Sequence, residues 1–578
     1  MNITFLKHCT LSVLSLFYLN TYSSSTVLDT QTLKDMELFA GNSHATQSLK
    51  DVLDHTYTHR GSQCFNALIS TITTDISVLG QRQEHIKTLL DISTYTQVTA
   101  ALENYAPCIN NTQNNAYPDG LPLEQFYFSN AKSSYSNTSP IMLNLGYCAH
   151  MANLALPLFE HAILHFLVSE KLHNTLGVGC ALHNHRHTHK PECSHKHNHH
   201  KKHDHNSSVL TTKNMLFYGY NAAHTIAHLL GFKALVDQVR NDRKLVHSIS
   251  PQLERAHTVL STVRAISTFL QNYAVWSEWN TTIATILQDT QIQRLEDLLA
   301  SCQWSRTWTG NILPGHLLAA HKALTSALPL LEQLINALAY IEVCAGIAHI
   351  IQEQDEQHPF CFTDYISNAA QPYVYAQNIW ALRIPGIVDH SNILLGQDCA
   401  RSVIITGPNG TGKSTLITQI AHAVILSQTF GIAPARTFNV TPFSHIMSAC
   451  KMSDNISKGH SLFGASIARA EHIRSEVKSL EGNQFCFIVL DEFFNCTDPQ
   501  RGQQLLIEFI DEIDQTGKCI SLVSTHFAPV AQWAQLHINT SATCNHNSSY
   551  ALTCWSTEHA RTKQGTFAIN RGVYAYTC

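Results

Sequence analysis

Apolar residues recur at intervals of three and four along the first half of the chain, and further on they gather into short unbroken runs that end on glycine or on carboxylates. The first pattern is that of helices with one buried stripe, and the second is that of strands covered on both faces. Between about 95 and 335, stretches such as LERAHTVLSTVRAISTFL (253–270) and HLLAAHKALTSALPLLEQLINALAYIEV (316–343) predict long helices. None of the segments holds the ~20 uninterrupted apolar residues of a membrane span. LALPLFEHAILHFLV (154–168) comes nearest, and Pro157, Glu160, His161 and His165 inside it predict a buried helix instead. Beyond 400, Val403, Ile404 and Ile405 predict a strand, and Leu416, Ile417, Ile420, Val424 and Ile425 the apolar stripe of the helix after it. FCFIVLDE (485–492) and CISLVS (519–524) predict two further buried strands. The expected fold class is multidomain: an all-α helical region followed by an α/β domain.

Composition changes this picture little, but it narrows the partners. With 578 residues there is room for two or more domains with real cores. Charged residues make up only 14% and the formal net charge is −5, with no long Lys/Arg stripe. Nucleic-acid affinity rests largely on phosphate neutralisation, so composition gives no independent support for DNA binding. The 17 cysteines lack CxxC pairs, which argues against zinc ribbons and iron–sulfur sites and for buried reduced thiols. At the N-terminus, Lys7, an apolar run from Leu11 to Leu19 and the small residues Ser23 to Ser25 have the grammar of a signal peptide over residues 1–25. A plain N-terminal helix and a short membrane anchor read the same residues equally well.

A low-complexity tract, HNHRHTHKPECSHKHNHHKKHDH, occupies 183–205. Imidazoles at that density take Zn²⁺, Ni²⁺ or Cu²⁺ loosely, and a solvated loop enriched in histidine has the same composition. The flanking pairs His161/His165 and His224/His228 are each spaced i, i+4, so each shares one face of a predicted helix. If those helices pack as a hairpin, four imidazoles converge as candidate metal ligands. Core or surface histidines are the plainer reading.

The most constrained chemistry lies at 402–415, SVIITGPNGTGKST. Gly407, Gly410 and Gly412 let the backbone turn tightly and aim N–H groups at a phosphate, and the following helix adds its positive end. Lys413 is then set to reach β- and γ-phosphates, and Ser414, beside Thr415, to ligate Mg²⁺. Asp491 and Glu492 arrive at the end of a buried strand, where Asp491 can hold Mg²⁺ and Glu492 can polarise an attacking water. Thr525, His526 and Phe527 follow the other strand, a position suited to sensing the γ-phosphate. ATP and Mg²⁺ are the implied ligands.

With these residues in view, the stretch from about 390 to 530 resembles the ATPase domain of the MutS family of DNA mismatch repair proteins. Five pieces carry the resemblance in order: NILL (392–395), TGPNGTGKST (406–415), DNISKGHSLFGASIARA (454–470), IVLDE (488–492) and STHF (524–527). LKDMELFAGN (33–42), LKDVLDHTYTHRGSQCFNALI (49–69) and TDISVLGQRQEHIKTLL (74–90) resemble the start of the family's helical core, and ALAYIEVCAGIAHI (337–350) its last helix. The resemblance implies a helical core and lever domain over 30–350, with the His-rich insertion at 183–205, and an ABC-like P-loop ATPase over 370–578. It further implies phosphate contacts by Asn409 and Ser461, with Ser461 acting on the facing subunit of a homodimer, and a switch role for His526. The activity it implies is mismatch- or structure-responsive ATP hydrolysis on double-stranded DNA, in the cytoplasm. Material before Leu33 is too short for the family's mismatch-reading domains. Ser466 stands where the family usually has glutamate, and Asn495, Cys496 and Arg501 where it tends to have Arg, Gly and Asp, so slow turnover is expected. The rival expectation is an exported or membrane-tethered relative, a non-catalytic, His-rich metal-binding scaffold.

Overall fold

A computed structural model describes residues 27–41, 47–110, 139–176, 205–300, 314–383, 391–397, 400–406, 412–450, 462–495, 497–534, 550–554, 557–561 and 567–571. Its helices are α1 (Thr30–Asp35), α2 (Leu49–Leu53), α3 (His59–Ser70), α4 (Ile76–Thr88), α5 (Ile92–Asn110), α6 (Pro140–Leu176), α7 (His205–His247), α8 (Ser250–Leu270), α9 (Ser277–Leu287), α10 (Thr290–Ala300), α11 (Pro314–Gln352), α12 (Lys413–Phe430), α13 (Leu462–Lys478) and α14 (Pro499–Gln515). Its strands are β1 (Cys361–Phe362), β2 (Asp364–Tyr365), β3 (Tyr373–Ile379), β4 (Ser391–Gly396), β5 (Ser402–Thr406), β6 (Ile432–Ala433), β7 (Thr437–Val440), β8 (His445–Ala449), β9 (Cys486–Asp491), β10 (Cys519–Ser524), β11 (Tyr550–Cys554), β12 (Thr557–Arg561) and β13 (Phe567–Arg571). The chain divides into two compact units. One comprises Met1–Thr112, Thr258–Leu287 and Leu330–Cys578, and the other Gln113–His257 with Gln288–Pro329.

In the first unit the organising element is a five-stranded sheet in the order β11-β5-β10-β9-β8, parallel throughout. Its apolar strands are covered on both faces: Ile404, Phe487, Ile488, Val489, Leu490, Ile520 and Val523 are all fully buried. That is why these strands read as unbroken runs and not as alternations. A second sheet, in the order β2-β7-β3-β4, stands beside β1-β6, an antiparallel pair. Helix α12 is buried along nearly its whole length.

Two features tie the start of the chain to this sheet. Leu28 bridges in parallel to Ile446, and the Ile446 N–H donates to the Val27 carbonyl at 2.8 Å, which extends the sheet beyond β8. The Asp35 carboxylate then accepts from Ser448 Oγ at 2.7 Å and from the Cys450 N–H at 2.9 Å, while Arg469 pairs with Asp29. Helix α4 closes the far end of α12: Arg82 donates to the Thr429 carbonyl at 2.7 Å and Gln83 to the Gly431 carbonyl at 2.8 Å. A guanidinium suits the negative end of a helix, where carbonyls have no intrahelical partner. His422, midway along α12, donates from Nε2 to the Met36 carbonyl at 2.8 Å.

The stretch 49–69 has a tertiary explanation. Glu342 on α11 is fully buried, and its carboxylate accepts from the Tyr57 N–H at 3.1 Å, the Thr58 N–H at 2.9 Å and Thr58 Oγ1 at 2.9 Å, at the positive start of α3. Gly61 is glycine because a Cβ there would sit 2.3 Å from Glu342 Oε2.

The second unit is helical among its described residues, and it corrects one expectation. Among the described residues, two helices are long and apolar enough to cross a membrane by length and composition. Gly315–Gln352 is 78% buried, a core helix, but Pro140–Lys171 is 0% buried across its apolar window. The run 154–168 is therefore an exposed helix, not a buried one. Of its polar side chains only His165 meets α7, its ring centre 3.7 Å from that of His224, and Ser169 just beyond the run bonds Asn221 at 3.2 Å, while Glu160 and His161 are exposed. The large apolar side chains are left on the outside.

Candidate functional site

Parallel pairing brings the C-terminal ends of β5, β10 and β9 to one edge of the sheet. Ser524 is the register partner of both Ile405 and Asp491. Past the strands the rows continue by backbone bonds, from the Thr525 N–H to the Ile405 carbonyl and from the Glu492 N–H to the Ser524 carbonyl, each at 3.1 Å. The glycine-rich loop, the two carboxylates and the Ser-Thr-His turn thus begin from adjacent positions on the edge where ligands of open α/β sheets bind.

On the β5 side the chain enters α12 through Gly412, which has φ +86°. That left-handed conformation favours glycine, and it lets the chain swing from loop to helix within one residue. Lys413, the first helical residue, is buried, whereas Ser414 is exposed. Because the first N–H groups of a helix have no intrahelical acceptor, the start of α12 is a ready anion site.

On the β9 side Asp491 accepts a hydrogen bond from Ser524 Oγ. Glu492 has φ +53° and Phe494 φ +64°, both in the left-handed region that side chains with a Cβ seldom occupy. Such strain persists only where the surroundings enforce it, and it gathers at functional sites. Here the buried Phe493 and Phe494 pin the turn, and Gly502 on α14 admits it: a Cβ at Gly502 would lie 2.7 Å from the Phe494 carbonyl oxygen. The exposed Glu492 carboxylate meets His526 Nε2 at 2.8 Å, with Asn495 Nδ2 at 3.4 Å from its other oxygen.

Of the residues singled out from sequence, Gly412, Lys413, Ser414, Thr415, Asp491, Glu492 and His526 are described; Glu492 and His526 meet directly, and Asp491 is joined to the neighbouring strand through Ser524. Gly407, Asn409, Gly410 and Ser461 lie outside the described residues, as does Cys496. Ser466 is buried and donates to the Leu462 carbonyl at 3.0 Å. Sequence reasoning gave no separate role to Ser524, Asn495 or Gly502. Ser524 was visible as the last residue of its strand, but its bond to Asp491 follows from register.

The histidine pairs require a correction. Helices α6 and α7 do pack as a hairpin, with ring centres of His165 and His224 at 3.7 Å, His224 and His228 at 4.6 Å, and His165 and His228 at 6.0 Å. His161 lies within electrostatic reach of His224. Yet among the described residues no group of three or more His, Cys, Asp or Glu side chains could hold a metal ion. A metal sits about 2.0–2.1 Å from each nitrogen in the ring plane. Here the rings of His165 and His224 are tilted by 35°, those of His224 and His228 by 43°, and His165 stands edge to face with His228 at 77°. All of the 183–205 tract but its last residue lies outside the described residues.

Residues 403–564 match the family model described as MutS domain V. Over 206 residues the chain is 31% identical to the DNA mismatch repair protein MutS of Erythrobacter litoralis, a stretch that makes up 35% of this chain and 22% of that protein. Over 132 residues it is 31% identical to the DNA mismatch repair protein MSH6 of Arabidopsis thaliana, 23% of this chain and 10% of the plant protein. The chain therefore matches less than a quarter of the length of either relative.

Proposed function

Residues 403–564 make this chain a member of the MutS family, and on that premise we propose that it is a Mg²⁺-dependent ATPase of ABC-like P-loop type whose turnover responds to DNA. The observation that carries the reading is the strained Glu492, bonded to His526 at 2.8 Å on the sheet edge where β5 leads toward Gly412 and Lys413. Gly407, Asn409, Gly410, Gly412 and the start of α12 would cradle the phosphates, with Lys413 as the point charge. Ser414 and Asp491 are the oxygen donors suited to Mg²⁺, and Ser524 on Asp491 supplies the outer hydrogen bond that orients such a ligand. Mg²⁺, when bound, neutralises charge that develops on the β- and γ-phosphate oxygens. Glu492 orients and polarises the attacking water, and His526 holds that carboxylate in position. Ser461 would complete the site from a second copy, which makes the active form a homodimer. DNA, mismatched or otherwise distorted, is the proposed effector on the strength of what the two relatives are named for.

Nucleotide binding and turnover test the two halves separately. Lys413→Ala should abolish binding of labelled ATP, whereas Glu492→Gln should keep binding and lower turnover by about 10²–10⁴-fold. Mismatched duplex at low salt should raise wild-type turnover above that with perfect duplex. Unchanged turnover with every DNA tried removes the repair assignment, and ATP affinity that survives Lys413→Ala removes the site.

A further inference from the structure

The hairpin of α6 and α7 in the second unit is built inside out relative to a water-soluble pair of helices. Its seam carries polar groups beside Leu158 and Gly231: Ser169 bonds Asn221, the rings of His165 and His224 lie 3.7 Å apart, and ring nitrogens of His165, His224 and His228 are shut away from solvent there. Its outer surface is mostly apolar: Phe159, Ile163, Phe166, Leu229, Leu230 and Phe232 are each between 61% and 68% exposed, with the exposed Glu160 among them on α6. Pro140–Lys171 carries a mean hydropathy of 1.4 with none of its apolar window buried. Charge is nearly absent from it: Glu160 is the lone charged residue between Pro140 and Ser169. The uncharged stretch 214–232 on α7 is closed by Lys233.

We propose that this part of the hairpin inserts among the acyl chains of a lipid bilayer. At 100° per residue, the exposed apolar positions from Leu156 to Val168 sweep about 200° of α6, and those from Met215 to Phe232 about 160° of α7. A second copy of this chain or a protein groove would cover one flank and leave the opposite flank apolar and wet. A lipid phase alone covers the whole outer arc. Along the axis, Met215 to Phe232 rises about 26 Å, near the ~30 Å of a hydrocarbon core. Polar side chains facing one another between helices, with apolar ones facing outward, is the arrangement lipid demands, since a Ser or Asn turned toward hydrocarbon would lose its partner. The seam takes in His165, whereas Glu160 and His161 of the same run are exposed.

Flotation of the full-length protein with phosphatidylcholine–phosphatidylglycerol vesicles tests this. Wild-type protein should rise with the vesicles and stay with them through high salt and alkaline carbonate. The double variant Ile163→Asp/Leu229→Asp should partition at least about a hundredfold less, because each substitution puts a carboxylate on the lipid-facing arc. ATP binding, read on the same preparation, should be unchanged. Wild-type protein that stays at the bottom of the gradient overturns the proposal. So does a variant that floats as well as wild type, which would assign flotation to another segment. A soluble wild-type oligomer that the two substitutions dissociate would make a second copy the occupant and overturn it likewise.

Discussion

Replacing Gly61 with alanine probes the tie between the start of the chain and α11. The new Cβ would lie 2.3 Å from Glu342 Oε2 and 2.8 Å from Thr56 Cβ, where ordinary contact begins near 3.4 Å. The carboxylate must retreat by more than about 1 Å. Oε2 would then lose the Tyr57 and Thr58 N–H groups that it accepts from at 3.1 and 2.9 Å. Overpacking of this kind costs about 1–3 kcal/mol, and each buried hydrogen bond about 1 kcal/mol. Against that, alanine gains about 0.5–1 kcal/mol over glycine inside a helix. The net expectation is about 2–4 kcal/mol of destabilisation. Gly80 on α4 supplies the control, since its Cβ would meet nothing within 4 Å and its replacement by alanine should stabilise by about 0.5–1 kcal/mol. Urea unfolding followed by tryptophan fluorescence reads both, because Trp276 and Trp279 are buried in the same unit. In a Glu342→Ala background the Gly61 substitution should cost clearly less, because only the approach to Thr56 Cβ at 2.8 Å remains. Equal cost in both backgrounds, or no cost in either, refutes the reasoning.

Burial pushes the imidazoles of His422 and His85 down to about 4, so both are neutral in the fold while the unfolded chain takes up protons below 6.5. Their contribution is whole above pH 6.5 and is lost as pH falls toward 4, up to about 3 kcal/mol each. His422→Gln, whose amide still donates to the Met36 carbonyl, should flatten the acid limb of a stability–pH curve, and an unchanged slope counts against this assignment. Glu342, raised by burial to about 7, works in the opposite sense, its contribution fading as pH rises from 4.5 through 7. Arg82→Ala should destabilise by about 2–3 kcal/mol in urea unfolding, because the carbonyls at the end of α12 lose a buried charged donor. Gly502→Ala should lower ATP turnover by at least about tenfold with ATP affinity kept, as the displaced Phe494 turn moves Glu492. Wild-type turnover in that variant would show that the turn does not set the carboxylate.

The candidate site was legible wherever its chemistry is local. Gly412, Lys413, Asp491, Glu492 and His526 each stand at a fixed offset from an apolar run, and the buried parallel strands that deliver them are themselves visible as runs. What escaped was whatever depends on partners far along the chain. Glu342 and Thr58 are 284 residues apart, and Arg82 and Thr429 347. The strain at Glu492 was equally out of reach, because it comes from Phe493, Phe494 and Gly502 packing around the turn.

Alone, then, the sequence determined the phosphate-loop spelling, the buried strands, the helical first half and the family resemblance, all carried by short-range spacing of residue types. Only the tertiary structure decided which way polar and apolar residues of one helix point. In α6, of the residues that suggested a buried helix only His165 turns into the seam with α7, joined there by Ser169, and the apolar majority faces outward. Periodicity shows that a helix has two faces, but the packing partner determines which of them is inside.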